Sequence, residues 1–374
     1  MPTHKESEKL SLLIARIKKD SAALASKKAT AGFDGFVDTI VRIIKKKPEK
    51  KPLIYLNRVK EFGNYILEKE GSNFSLELDE ISSKPGGNMP ITANALGKLG
   101  IQVNCIGALG YPQTHPVFNN FSSNCRPYSF AEPGTSTAIE FNDGKIMLYQ
   151  MGPQNNMGWD KIKETIGIDT LKELYKESDL LCFVNWSEID ASPDIWKGIF
   201  RDVFPKLSIQ GEKKLSLIDL SDCSKRSNEA IEEMLAQLEK FAQHTKLILS
   251  LNKNEAQWIY KSMYKNSEKD MEKLGIKIFE KLKPEILLLH SSKQTIAIKQ
   301  EDVFRQDSFF IKNPQLSTGA GDNFNAGFAA AQLMKWDPAL SLLFANSVAA
   351  LYVKTGISPQ PEDVLIFLEE LQAN

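Results

Sequence analysis

Leu316-Ser317-Thr318-Gly319-Ala320-Gly321-Asp322-Asn323-Phe324-Asn325-Ala326-Gly327-Phe328 is a loop of small residues running into a helix, with Phe324, Phe328 and Ala331 recurring on one helical face. Without bulky side chains, the free N–H groups of Gly319, Ala320 and Gly321 can approach an anion, and the positive end of the helix favours developing negative charge. Asp322 follows at once. A carboxylate there can accept the proton of an attacking hydroxyl while the amides hold phosphoryl oxygens, the division of labour that phosphoryl transfer requires. A bare Gly-Ala-Gly-Asp also reads as a tight turn with an acid in the first helical turn. The rest of the chain has to decide between the two.

Upstream of that loop, apolar runs at Leu180 to Val184, Lys214 to Leu220, Lys246 to Leu251 and Glu285 to His290 alternate with polar helical stretches. This order predicts buried parallel strands in a doubly wound sheet, whose ligands bind beyond the carboxyl ends of the strands. Lys28 to Phe36 reads as a first central strand ending in Gly32 and Gly35. Before it, Leu10, Leu13, Ile14 and Ile17 give an amphipathic helix within residues 1–27, and its charged flanks do not suit a signal peptide. Ser75 to Glu80 and Ser136 to Gln150, the latter folded at Asn142-Asp143-Gly144, predict a small separate sheet. The basic run Lys45 to Lys51 reads as a solvated loop.

Lys plus Arg and Asp plus Glu balance at 47 each, which gives no support to a nucleic-acid or membrane-surface role. No apolar run reaches the roughly 18 to 20 residues of a membrane span. Cys105, Cys125, Cys182 and Cys223 are scattered without a CxxC pair, and read as buried thiols of a cytoplasmic protein. The histidines, His290 among them, fall in no motif and read as surface or core residues.

The segment Leu316 to Phe328 resembles the C-terminal signature of the PfkB, ribokinase-like carbohydrate kinase family. Gly86-Gly87-Asn88 through Ala93, Ala95, Leu99 and Gly100 is similar to its N-terminal Gly-Gly motif, in the right order and spacing. The resemblance, extending from about Ala29 to about Gly356, implies a three-layer α-β-α core with a mostly parallel sheet in residues 28–374. It also implies a β-sheet lid from about 38–58, 74–84 and 127–151, in some members a dimer contact. It further implies ATP and Mg²⁺ as cofactors, a small sugar or polyol as acceptor, Asp322 as base, and Gly319, Ala320 and Gly321 as anion hole. Asp38, then Asp34, would bind substrate hydroxyls together with Gly86, Gly87 and Asn88. Thr318, Asn346, Asp219 and Asn252 would attend the nucleotide. Asn252 and Glu255 would organise the metal, largely through water, although Asn-x-x-Glu is also a plain helix cap.

Leu316 stands where the family usually has Asp, which puts a monovalent-cation site in doubt, and Ile91 stands where an Asn usually reaches the sugar. A nucleoside kinase of the same fold and a non-catalytic metabolite-binding homologue are the alternatives. A dehydrogenase is remote, since no GxGxxG follows the first strand.

Overall fold

The computed structural model describes residues 4–207 and 213–373; residues 1–3 of the expected N-terminal segment lie outside them. The strands are β1 (Lys28–Phe33), β2 (Phe36–Lys46), β3 (Ile54–Tyr55), β4 (Glu77–Gly86), β5 (Gln102–Gly107), β6 (Cys125–Ser129), β7 (Gly134–Phe141), β8 (Gly144–Gln150), β9 (Leu180–Val184), β10 (Leu215–Asp219), β11 (Lys246–Asn252), β12 (Ile286–His290), β13 (Gln294–Lys299) and β14 (Asp302–Asp307). The helices are α1 (His4–Asp20), α2 (Val59–Leu67), α3 (Asn88–Lys98), α4 (Trp159–Ile166), α5 (Ile168–Glu177), α6 (Ser192–Asp202), α7 (Phe204–Leu207), α8 (Asn228–His244), α9 (Lys253–Tyr264), α10 (Met271–Leu282), α11 (Ala320–Leu333), α12 (Pro338–Thr355) and α13 (Pro361–Ala373).

A nine-stranded sheet runs β14-β13-β12-β11-β10-β9-β1-β5-β6. It is parallel from β12 to β6, and the hairpin β13–β14 closes one edge antiparallel. Alternating residues of the central strands feed two cores. Leu217, Ile248 and Leu288 face α1, α3 and α11 to α13, whereas Ile218, Leu247, Leu249 and Leu287 face α4 to α6 and α8 to α10. The layers are therefore helix, sheet, helix, with α1 forming part of one helical layer. No helix among the described residues is long and apolar enough to cross a membrane.

The second sheet has five strands, β3-β2-β7-β8 with β4 on β2. Val41, Ile43, Ile139 and Phe141 pack on Phe62 and Tyr65 of α2, so one face of this sheet has a core of its own. Two details differ from the sequence expectation. Residues 127–129 belong to β6 of the large sheet, since Cys105 pairs with Pro127 and Ile106 with Tyr128. Lys45 and Lys46 continue β2 rather than opening a loop, because Lys46 pairs with Ile54. Lys225, beyond β10, spans the two units by hydrogen-bonding the hydroxyl of Tyr149 on β8, with Glu188 3.7 Å from its ammonium.

Candidate active site

At the carboxyl edge of the large sheet the chain turns out of β1 at Asp34, out of β9 at Asn185, out of β10 at Asp219 and out of β11 at Asn252. These are the positions from which side chains of a doubly wound sheet meet a ligand.

Gly319 caps α11 with φ +91°, a left-handed conformation, and a Cβ there would lie 2.7 Å from the Tyr352 hydroxyl and 3.2 Å from Ile91. Both restrictions favour glycine. Ile91 thus packs on the loop. Ala320 departs from the expected role: its N–H donates to the Ser317 carbonyl at 3.2 Å. Of the three loop amides, those of Gly319 and Gly321 have no backbone acceptor among the described residues.

Asp322 is buried in the first turn of α11. Its Oδ1 accepts the Asn88 amide at 3.2 Å and the Thr92 hydroxyl at 3.0 Å, and both donors lie on α3, one helical turn apart. The two glycine-rich motifs therefore meet at this carboxylate. Burial pushes Asp322 well above the usual carboxylate range, and the nearby charges of Asp219 and Asp34 push the same way, while the Thr92 and Asn88 hydrogen bonds oppose them. Such a group is a stronger base than an exposed carboxylate.

Asp34 is tied to the start of α3. Its carboxylate accepts the backbone N–H groups of Asn88 (2.9 Å) and Met89 (2.7 Å) and the Asn185 amide (2.7 Å), so it caps α3. Burial raises it to about 6 against those three bonds. Gly87, at φ +94°, leaves the room this requires, since a Cβ would stand 2.7 Å from Asp34 Oδ2. Asp38, four residues on, lies on β2 of the small sheet, opposite Lys84 and Ser136 in register. A Cβ on Gly86 would strike its carboxylate at 2.2 Å. Burial raises Asp38, and Lys84 pulls it back. The Tyr352 hydroxyl, which donates to the Thr318 carbonyl at 3.0 Å, is raised first by burial and then by both Asp322 and Asp38.

A cavity of about 730 Å³ opens on the other side of the anion loop, lined by Asn252, His290, Phe309, Ala320, Gly321, Asn346 and Val353 among others. Its size suits a nucleotide-sized ligand. Asn346 lines it while its amide donates to Thr295 Oγ1 (2.7 Å) and the Leu342 carbonyl (2.9 Å). Two expected nucleotide residues are displaced from the cavity wall. Thr318 is exposed beside it. Asp219 lies beneath, accepting the Asn325 amide at 2.6 Å and the Ser221 N–H at 3.0 Å.

Asn252 and Glu255 form a reciprocal capping box at the start of α9. Both Glu255 oxygens are engaged by Asn252, one by its N–H at 2.8 Å and one by its side-chain amide. Burial raises Glu255 well above its ordinary value, and Asp219, Asp222 and Asp322 add to the rise. This crowding of carboxylates suits a divalent cation. No group of three potential metal ligands exists among the described residues.

Sequence reasoning missed Thr92, Asn185, Asn325, Tyr352 and His290. Thr92 carried a local signal, being four residues after Asn88 on the same helical face, and Asn325 lies within the segment Leu316 to Phe328.

The prokaryotic ketohexokinase family model matches residues 13–371. A ketohexokinase of Haloferax volcanii is 25% identical over 347 residues, covering 90% of this chain and 89% of that protein. The ribokinase of Arabidopsis thaliana, solved with ribose and ATP, superposes with a TM-score of 0.63 at 18% identity, covering 92% of this chain and 98% of that one. An Escherichia coli protein assigned as a ribokinase II, solved with ATP and Mg²⁺, gives a TM-score of 0.62 at 15% identity over 92% and 99%. At these identities the solved structures establish a shared ribokinase-like fold. The family match spans nearly the whole chain and includes both glycine-rich motifs that converge on Asp322, and so this chain belongs to the prokaryotic ketohexokinase family of carbohydrate kinases.

Proposed function

We propose that the chain transfers the γ-phosphoryl group of ATP to a hydroxyl of a ketohexose, with Asp322 as the base. The observation that carries this reading is the meeting of α3 and α11: Asn88 and Thr92 hold one oxygen of a buried, strongly basic carboxylate beside the open amides of Gly319 and Gly321. Asp322 takes the proton of the attacking hydroxyl, and the two amides and the α11 N-terminus receive charge developing on the transferred group. Mg²⁺ bound with the nucleotide would neutralise phosphate charge there, with Glu255 and Asn252 orienting its waters. Asn346 borders the slot for the base, and the buried Asp219 sets Asn325 and the α11 turn beneath the phosphates.

Asp38 accepts sugar hydroxyls from the small-sheet side, with Gly86, Gly87 and Asn88 letting the acceptor lie close to backbone. The small sheet acts as a lid whose closure excludes water from the phosphoryl group. Leu78, Ile81, Met147 and Leu148 are exposed on it, apolar surface of the kind a homodimer contact through the lid would cover. Four free cysteines, three of them buried, suit work in the reducing cytoplasm.

The test is ADP release with ATP and Mg²⁺ over ketohexoses, aldohexoses, pentoses, sugar acids and nucleosides. Turnover confined to ketohexoses supports the proposal. A nucleoside as the best acceptor, or ATP binding without turnover on any of them, overturns it.

A further inference from the structure

His290 ends β12, in register with Asn252 on the neighbouring strand. Its ring lies against Phe324 of α11, with centroids 5.4 Å apart. Its Cε1 would be 3.3 Å from a Cβ placed on Gly321, so the imidazole adjoins the anion loop. It also lines the 730 Å³ cavity between that loop and Asn346. Nε2 is buried and makes no hydrogen bond among the described residues. An imidazole nitrogen withdrawn from water without a partner is unfavourable, and native proteins rarely leave one so. Packing alone would be served as well by a phenylalanine. Burial also lowers the ring to about 4, so it is neutral at physiological pH and offers one N–H donor.

We infer that His290 is a nucleotide-binding residue, its imidazole N–H donating to an oxygen of the bound nucleotide's polyphosphate where the cavity meets Gly321. The inference rests on the reading of this cavity as the ATP site. It adds a neutral ring donor to a wall that also carries Lys253, Asn252, Ser291 and Ser292, one that recognises phosphate without neutralising it.

Two substitutions separate this role from packing. His290→Phe keeps an aromatic ring against Phe324 and removes the donor; His290→Gln keeps a donor at about the reach of Nε2. ATP affinity measured by calorimetry on the full-length protein with Mg²⁺ should weaken roughly tenfold or more in His290→Phe, the scale of one hydrogen bond to a charged group, and largely recover in His290→Gln. KM for ATP should follow. Equal affinity in wild type and His290→Phe, with melting temperatures matched, overturns the inference alone. Equal loss in both variants assigns His290 to packing and overturns it as well. A wild-type protein that binds no ATP overturns the kinase reading and this inference with it.

Discussion

Replacing Asp322 by Asn separates chemistry from structure at the centre of the site. Asparagine has the same shape, and its amide oxygen can still accept both the Asn88 amide and the Thr92 hydroxyl that now meet on Oδ1. What disappears is the second oxygen as a proton acceptor. Loss of a positioned general base removes about 10²- to 10⁴-fold in rate, or about 3 to 5 kcal/mol of barrier. Stability should move the other way. A carboxyl whose folded pKa lies above its unfolded value binds protons more tightly when folded, so its contribution to stability declines as pH rises through that interval and is unfavourable at neutral pH. Asp322→Asn removes that penalty. The expected result is kcat down by at least about a hundredfold, ATP affinity unchanged in calorimetry, and a melting temperature at pH 7.5 that rises. Turnover within tenfold of wild type would refute the assignment of the base; a lower melting temperature would refute the account of its burial.

Thr92→Val removes one donor to the charged form of Asp322, worth about 1.5–3 kcal/mol. The acid limb of the kcat/KM profile should move to higher pH, with activity approaching wild type at alkaline pH and KM for ATP unaltered. Gly86→Ala drives a methyl group into the Asp38 carboxylate, so KM for the sugar should rise about tenfold or more while ATP affinity holds; an unchanged sugar KM would remove Asp38 from the acceptor site. Asp34 takes up its proton near pH 6 in the fold and near 4 when unfolded, so it should add stability, on the order of 3 kcal/mol, as pH falls between them. Urea titrations at pH 4.5 and 7 should show a shallower pH dependence in Asp34→Asn, whatever its overall offset; equal slopes would contradict the role given to its burial.

The buried strands were legible because parallel strands covered on both faces need unbroken apolar runs, and Leu180 to Val184 is one from end to end. The hairpin at Asn142-Asp143 was legible from its turn chemistry. The anion loop and its helix carried a local signature too. What the sequence concealed was partnership across long separations. Nothing near Thr92 announces that its hydroxyl meets a carboxylate 230 positions away. Asp34 and Asp38 look alike as acids after a first strand, and only the fold shows one capping α3 while the other faces Lys84 from the second sheet. His290 has no motif, because its surroundings come from the anion loop and a helix further along the chain.

β4 passes through Gly87 directly into α3, and the turn between β1 and β2 is fastened to the start of the same helix by Asp34. Two routes from the large sheet into the small one thus converge at Asn88, whose side chain grips Asp322 together with Thr92 one helical turn further on. The lid movement proposed above would pivot at this point, beside the base, so that a swing of the far strands would leave the proton acceptor nearly in place and acceptors of different length could be gripped around one fixed hub.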